Sequence, residues 1–575
     1  MSWKVRIALM LPLFVWSTMN NRLHAETYYV DAVLGGSVYN GLLPGNQFAP
    51  NAACQTIQQA VDLAEANTDS NDRIFVIVGT YNEEVTITED GIELIGYENS
   101  FNVNTGWSDL DDGRGVPANY NETRGLANGM PVMHEQPEIN LGNRAAGNAI
   151  VVFGSNVFIR NFTIHDCKNG VVGNGATGAT ALSIENIVGY NFGPLINSDQ
   201  GRGILISTVP QCDVVNCRIL NAGGYGVLLS EQSTLGSIIN TQVYCDEGDP
   251  GQGEGDGSDY YFVITNTRSC TLTNCRAERH DGGDGVFSKH LGHGFVLKGT
   301  TAQTKSNRIE DCEAIQVNEA FWFLGQTCTE NLVVDCYANR TDTSENVGVS
   351  IFFSNGASNN RAKKTHIKNA RGGVTFDVDG GVSGNTTLIT ENTIENCIFE
   401  RCENTINLNP HNGNPGTKAK DNEFRNCTFT GRLTPTMYQE WPLDSGTYED
   451  SRGLFYAHRD NENTTFTNCI FTDFPIKEFI STAAVISGKV HYSVDVTFDH
   501  CCFYECGAGF PETQQAMDAD SDYTDCILTQ SFPFIGSIWP NSIVIDQGTS
   551  VPEVEDFFGS PRLDGPAVDI GAFED

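Results

Sequence analysis

Short runs that alternate apolar and polar side chains recur along most of the chain. They read "GRGILIST", "GYGVLLSE", "DYYFVITN", "GHGFVLKG", "NEAFWFLG", "VGVSIFFS", "GGVTFDVD", "NTINLNPH" and "RGLFYAHR". Alternation with period two, β-branched and aromatic enrichment and flanking Gly or Asn predict a short strand from each. A second series repeats in step with the first: an Asn or Asp next to a cysteine, at Cys167, Cys217, Cys275, Cys312, Cys336, Cys397, Cys427 and Cys469. Its shortest interval is 24 residues, from Cys312 to Cys336. This spacing predicts a ladder with one strand per coil, small polarizable cysteines stacked inward and Asn or Asp at the turn. The fold class is therefore all-β, a single-stranded parallel β-helix solenoid. Near the start, Ile57, Ala60, Val61 and Ala64 fall at i, i+3, i+4 and i+7, which predicts a short amphipathic helix capping the first coils.

Aligning the strands puts Ile204, Val227, Phe262, Phe295, Phe321, Val349, Val374, Ile406 and Leu454 inside. An outward column then runs Ser207, Ser230, Thr265, Lys298 and Leu324, followed by Phe352, Asp377 and Asn409. Strands of adjacent coils lie about 4.8 Å apart, so stacked cysteines of neighbouring coils could form disulfides. Cys212 and Cys217 could not, since an extended strand holds them about 16 Å apart.

Charge narrows the partners. The 575 residues carry 34 basic and 72 acidic side chains, a formal net charge of −38. Such a chain repels phosphate backbones and anionic lipid heads, so neither nucleic acid nor a membrane is an expected partner. An acidic polysaccharide would need a local basic strip or a bound cation. Residues 1–25 have a secretory layout: Lys4 and Arg6, the apolar run "IALMLPLFVW", and a small-residue site ending at Ala25. The expected product is secreted, extracellular or periplasmic, and monomeric. The expected organisation is a signal peptide at 1–25, a cap and first coils at 26–135, the β-helix with groove-forming insertions at 136–510, and a closing segment at 511–575.

The opening stretch "TYYVDAV", "ACQTIQQAVDLAEA", "RIFVIVGTYNEEVTI" and "GIELIGY" resembles the entry segment of secreted right-handed parallel β-helix proteins of the pectate-lyase-like superfamily. The C-terminal "GSPRLDGPAVDIGAFED" resembles their closing segment. The resemblance spans nearly the whole mature chain and implies a right-handed coil; it is a likeness of scaffold, and scaffold does not give function. Pectin methylesterases share the opening, but their Gln-Asp and Asp-Phe-Ile-Phe-Gly coil is missing. Gly292-His293-Gly294 is similar to the Gly-His-Gly of polygalacturonases, yet no Asp-Asp pair stands one coil earlier. Calcium-dependent pectate lyases offer the nearest local likeness, in "HGFVLKG" followed by "NEAFWFLG". Here His293 replaces a calcium carboxylate, Asn318 and Glu319 replace the Asp pair, and Trp322 replaces the last Asp. One carboxylate is too few for a hard cation that wants several oxygens.

Residues 276 to 298 hold the densest set of titratable groups. A β-eliminating lyase neutralises a uronate carboxylate, removes the acidified C5 proton and protonates the leaving oxygen. Lys298 is the candidate base beside Trp322, His293 or His290 a base or acid, and Arg279 with His280 the carboxylate clamp. Trp322 and Phe352 are candidate stacking platforms, and Glu319 and Asn409 further substrate contacts. Asp377 and Asp379, at i and i+2 on one strand and so about 6.6 Å apart, fit the carboxyl spacing of a glycoside hydrolase. The acidic loop with Asp249, Glu254 and Asp256 is a weak candidate for Ca²⁺. The expected function is cleavage of an acidic polysaccharide by β-elimination. A glycoside hydrolase and a non-catalytic carbohydrate-binding solenoid are the alternatives.

Overall fold

The structure is a computed structural model. It describes residues 26–33, 35–36, 53–67, 71–97, 136–175, 179–193, 201–245, 260–279, 292–339, 349–370, 372–377, 388–402, 404–409, 418–430, 455–457, 461–472, 485–486, 489–490, 495–504, 514–518, 523–529, 548–549 and 570. These residues form a parallel β-helix in which each full coil supplies three strands rather than the one that the cysteine ladder suggested. The first and second ladders belong to one 29-stranded sheet, and the third is a 12-stranded sheet from Val85–Ile87 to Phe455–Ala457. Two eleven-residue strands, Val157–Cys167 and Leu182–Phe192, run through both the first and the second ladder and join them.

The Asn/Asp-Cys signature marks the corner between those two ladders. Asn216, Asn240, Asn274, Asp311, Asp335, Asn396, Asn426 and Asn468 all have φ between +50° and +54° there. Short polar side chains tolerate this left-handed backbone best, because they can bond locally. Asn240 accepts from Asn274 at 2.7 Å and donates to Asn216 at 3.2 Å, which ties successive corners together. The next residue turns inward, and its Sγ donates to the carbonyl two residues back: Cys312 to Glu310 at 3.2 Å, Cys336 to Val334 at 3.1 Å, Cys397 to Glu395 at 3.2 Å. Thr241 and Thr365 take the same place and make the same bond, at 3.1 and 3.0 Å. What the position requires is a small side chain with one proton to give. Every described cysteine is buried and outside any disulfide, so the cross-coil disulfides that the spacing allows do not form among the described residues. Burial pushes the Cys217 and Cys328 thiols up to about 12, which keeps them protonated and inert.

At another corner a buried amide ladder links Asn307, Asn331, Asn360, Asn392 and Asn422 by Nδ2–Oδ1 bonds of 2.9, 2.9, 3.3 and 3.1 Å. Each amide thus satisfies its neighbour in a dry interior, where an unpaired donor would cost about 1–3 kcal/mol. Aromatic rings stack along the interior at nearly the coil repeat, as in Phe399, Phe429, Phe471 and Phe503 at 5.0 Å each. The amphipathic helix spans Ile57–Ala66 and buries Ile57, Ala60, Val61 and Ala64, the four positions its periodicity selected. Thr56 caps it by accepting from the Gln59 N–H.

The third ladder corrects the strand alignment in two coils. Phe321 pairs with Ile351, not Val349, and Ile406 pairs with Phe455 rather than Leu454. The segments 246–259, 280–291, 340–348 and 431–454, all outside the described residues, each connect a second-ladder strand to a third-ladder strand.

Candidate active site

Backbone register lines residues of the third ladder up in parallel columns, set by position along each strand. The column nearest the insertions runs Asn169, Arg202, Tyr225, Tyr260, His293 and Glu319. A middle column runs Leu205, Leu228, Val263, Val296, Trp322, Phe352 and Thr375. The far column runs Ser207, Ser230, Thr265, Lys298, Leu324, Ser354, Asp377 and Asn409. Ser354 holds the place that the alignment gave to Phe352.

His293 is the centre of the first column. Its Nδ1 pairs with Glu319 Oε2 on the next coil, and its ring stacks on Tyr260 at 4.7 Å on the previous one. Trp322 meets the same imidazole at 4.9 Å with a 46° tilt. Glu319 is 8 % exposed and its other oxygen accepts from Asn318 Nδ2 at 3.0 Å. The carboxylate is thereby fixed, and through it the ring. Nε2 of His293 has no hydrogen-bond partner among the described residues, and the side chain is 16 % exposed. An imidazole held at one nitrogen and open at the other is the arrangement of a general acid or base. Glu319 is thus the hydrogen-bond partner of His293.

Gly294 in the Gly-His-Gly stretch has a packing reason for being glycine. A Cβ there would lie 2.7 Å from the Ala320 carbonyl oxygen of the next coil. The polygalacturonase-like spelling is a product of close backbone approach.

The aromatic residues face outward as expected but are not open platforms. Trp322 is 5 % exposed, stacks on Phe352 at 5.4 Å and donates its Nε1–H to Ser354 Oγ at 2.7 Å. Phe352 is 9 % exposed, and both belong to an apolar cluster with Leu228, Val263, Val296 and Leu324 on this outer face. Their ring faces are taken by neighbours, which corrects the reading of them as free sugar-stacking surfaces.

Lys298 sits apart. Its coil neighbours are Thr265 and Leu324, not Trp322, which pairs with Val296. Five residues of extended strand separate it from His293, about 16 Å, so the two cannot serve one bond. Its backbone is firmly held: its carbonyl accepts from Asn266 N at 3.1 Å and Thr304 Oγ1 at 2.6 Å. Arg279 is 4 % exposed and pairs with Cys245, whose side chain belongs to the core, so it does not join Lys298 on the open face. Asp377 closes the strand Gly372–Asp377 in the Lys298 column, three coils away, and its backbone pairs with that of Asn409. The side chains of Asp377 and Asn409, and all of His280, His290, Asp379, Asp249, Glu254 and Asp256, lie outside the described residues. Among the described residues no group of three or more His, Cys, Asp or Glu could hold a metal ion. No helix among them is long and apolar enough to cross a membrane.

Sequence reasoning found His293 and Glu319 separately but missed their pairing, and missed Arg202, Tyr225 and Tyr260 altogether. The signal was available in the aligned strands, where "GRG", "GYG", "DYY" and "GHG" place these four residues at one position.

No protein-family model matches the sequence, and no curated protein matches it. Among solved structures, the chain resembles the A-module of a mannuronan C-5 epimerase from Azotobacter vinelandii, at 16% identity and a TM-score of 0.44, covering 72% of this chain and 94% of that one. It also resembles the catalytic domain of an α-1,3-glucanase, at 13% identity and a TM-score of 0.44, covering 72% of this chain and 66% of that one. A pectate lyase matches at 13% identity and a TM-score of 0.31, covering 96% of each chain. Likenesses of this strength carry nothing about chemistry.

Proposed function

We propose that this protein is a carbohydrate-active enzyme that cleaves an acidic polysaccharide by β-elimination, with His293 as its base. The observation that carries this reading is the His293–Glu319 pair, fixed at Nδ1 and without a described partner at Nε2, at the end of an outward column of tyrosines. In the proposed step Nε2 takes the C5 proton of a uronate. The electron pair forms the C4–C5 double bond, the C4–O bond breaks, and the leaving oxygen takes up a proton. Glu319 holds the tautomer with Nε2 unprotonated and stabilises the imidazolium that results. Tyr260, stacked on the same imidazole, carries the nearest described phenol in the column and is the proposed proton source for the leaving oxygen. Export of the chain, by the segment ending at Ala25, belongs to the same reading.

A panel of uronate and neutral polysaccharides, run with calcium and with chelator, tests this. Unsaturated product and reducing ends should rise together on a uronate polymer, and His293→Gln should remove both. Reducing ends without unsaturated product would replace the lyase by a hydrolase. Neither signal, with retention on one polymer, would leave a binding solenoid.

A further inference from the structure

The column that holds His293 carries, three coils earlier, a guanidinium with no carboxylate partner among the described residues. Arg202 lies over the ring of Tyr225 at 5.5 Å, Tyr225 stacks on Tyr260 at 5.3 Å, and Tyr260 on His293 at 4.7 Å. The Nε of Arg202 is buried with no hydrogen-bond partner. In a chain with 72 acidic and 34 basic side chains, several arginines instead hold a carboxylate. Arg73 holds Glu93 at 2.8 Å, Arg276 holds Glu278 and Glu313 at 2.6 and 2.7 Å, Arg308 holds Glu310 at 2.7 Å, and Arg361 and Arg425 hold Glu395 and Glu423. Arg160 also keeps a buried Nε without a hydrogen bond, 5.3 Å from the Phe158 ring, Arg144 bonds the carbonyl oxygens of Gly193 and Asn221, and Arg218 lies over Tyr244 at 5.7 Å, but none of the three is in this column.

We infer that Arg202 is a specificity-determining residue that binds a carboxylate of an anionic sugar remote from the bond that breaks. A guanidinium presents a planar fork matched to a carboxylate, and stacking on Tyr225 restricts its orientation beforehand. The buried Nε makes no hydrogen bond within the protein, so the guanidinium charge is not committed there. Three coil steps of about 4.8 Å place this contact some 14 Å from His293 along the axis, the length of a polymer segment rather than of one sugar. The backbone beneath is tied down as well: Arg202 N donates to Asn169 Oδ1 at 3.1 Å, and Asn169 Nδ2 donates to Asn148 Oδ1 at 2.7 Å. A polyanion would otherwise be repelled by the charge of −38, so one unpaired cation in the track has a large relative effect.

This rests on the polysaccharide reading above, and the test separates the two. The full chain and its Arg202→Gln, Arg202→Lys and Arg160→Gln variants are titrated with polygalacturonate and with alginate, and with the carboxyl-reduced form of each. Thermal unfolding verifies that each variant is folded. Arg202→Gln should weaken binding of the carboxylated polymer about tenfold or more, the size of one lost charge-assisted pair. Arg202→Lys should fall between, Arg160→Gln should bind as the parent does, and the reduced polymers should bind all forms equally weakly. Equal binding by Arg202→Gln and the parent, or no binding of either carboxylated polymer by the parent, would overturn the assignment. Loss of binding in Arg202→Gln with no cleavage by the parent would keep Arg202 and sink the lyase.

Discussion

Two histidines on different faces of this helix are built from the same parts. His165, on the second ladder, stacks on Tyr190 at 4.3 Å and pairs through Nε2 with Glu138 of a neighbouring coil. His293, on the third ladder, stacks on Tyr260 at 4.7 Å and pairs through Nδ1 with Glu319. The difference is at the second nitrogen. In His165 it is bound to Asp166 at 2.9 Å, and the residue is buried. In His293 it has no described partner. A histidine whose two nitrogens are both engaged can only hold its surroundings together, whereas one with a free nitrogen can exchange a proton with something that arrives. Exposure differs in the same sense: the His165 side chain is 6 % exposed and that of His293 16 %.

The largest effect should separate the pair by kind. His293→Gln is expected to lower turnover about 10²- to 10⁴-fold with the melting temperature unchanged, the range of general acid–base catalysis. His165→Gln should instead leave Glu138 and Asp166 without their partner and lower stability by about 2 kcal/mol, with turnover per folded molecule unaltered. Parallel melting curves and rate measurements decide it, and a stable, inactive His165→Gln protein would invert the comparison.

Glu319→Gln tests whether the carboxylate acts through the ring. Turnover should fall about 100-fold, since a misplaced base loses its geometry, while polymer binding holds and the pH–rate profile changes shape. An unchanged profile with weaker binding would return Glu319 to the role of a substrate contact. Lys298→Ala is the sharpest way to break the assignment from outside, because that residue lies about 16 Å from His293. It should change the activation free energy by no more than about 0.5 kcal/mol. Abolished activity would move the base from His293 to Lys298.

The smallest effect concerns a third histidine. His366 Nε2 pairs with Glu400 at 3.1 Å, but Glu400 is shared with Lys368 at 3.0 Å, making an ion network on the second ladder. Burial holds His366 below the ordinary histidine value of 6.5, against the pull of Glu400. Burial opposes ionisation of Glu400 too, yet Lys368 and then His366 hold it below the ordinary value of 4.5. Both groups bind protons more weakly folded than unfolded. Stability from them is therefore full above about pH 6.5 and is lost as pH falls, first through the histidine and then through the carboxylate. Urea midpoints at a series of pH values should decline less steeply below about pH 4.5 in Glu400→Gln, by under about 1 kcal/mol in total. A slope equal to the parent's would remove this account.

Much of the scaffold was legible in the sequence because it is written by local rules. Alternation in "GYGVLLSE" and "GHGFVLKG" gives strands, the i, i+3, i+4, i+7 spacing from Ile57 gives the helix, and Asn or Asp before Cys gives a corner. The site was only half legible. The repeat alignment puts Val349 inward in place of Ile351, which moves Phe352 into the Lys298 column and hides Ser354. A two-residue shift preserves the alternation, so the pattern alone cannot detect it; hydrogen-bonded register can.

What the sequence determined by itself is the kind of structure: a parallel β-helix with a capped start, inward cysteines at repeated corners and an acidic surface. Each of these follows from side-chain size, period and backbone preference within a few residues. The tertiary structure decided which residues from distant coils meet. Arg202, Tyr225, Tyr260, His293 and Glu319 are spread over 118 positions, from 202 to 319, and become neighbours only through the ladder register. Whether a histidine's second nitrogen is engaged or an arginine's Nε is left without a partner depends on those contacts across coils, which no local pattern records.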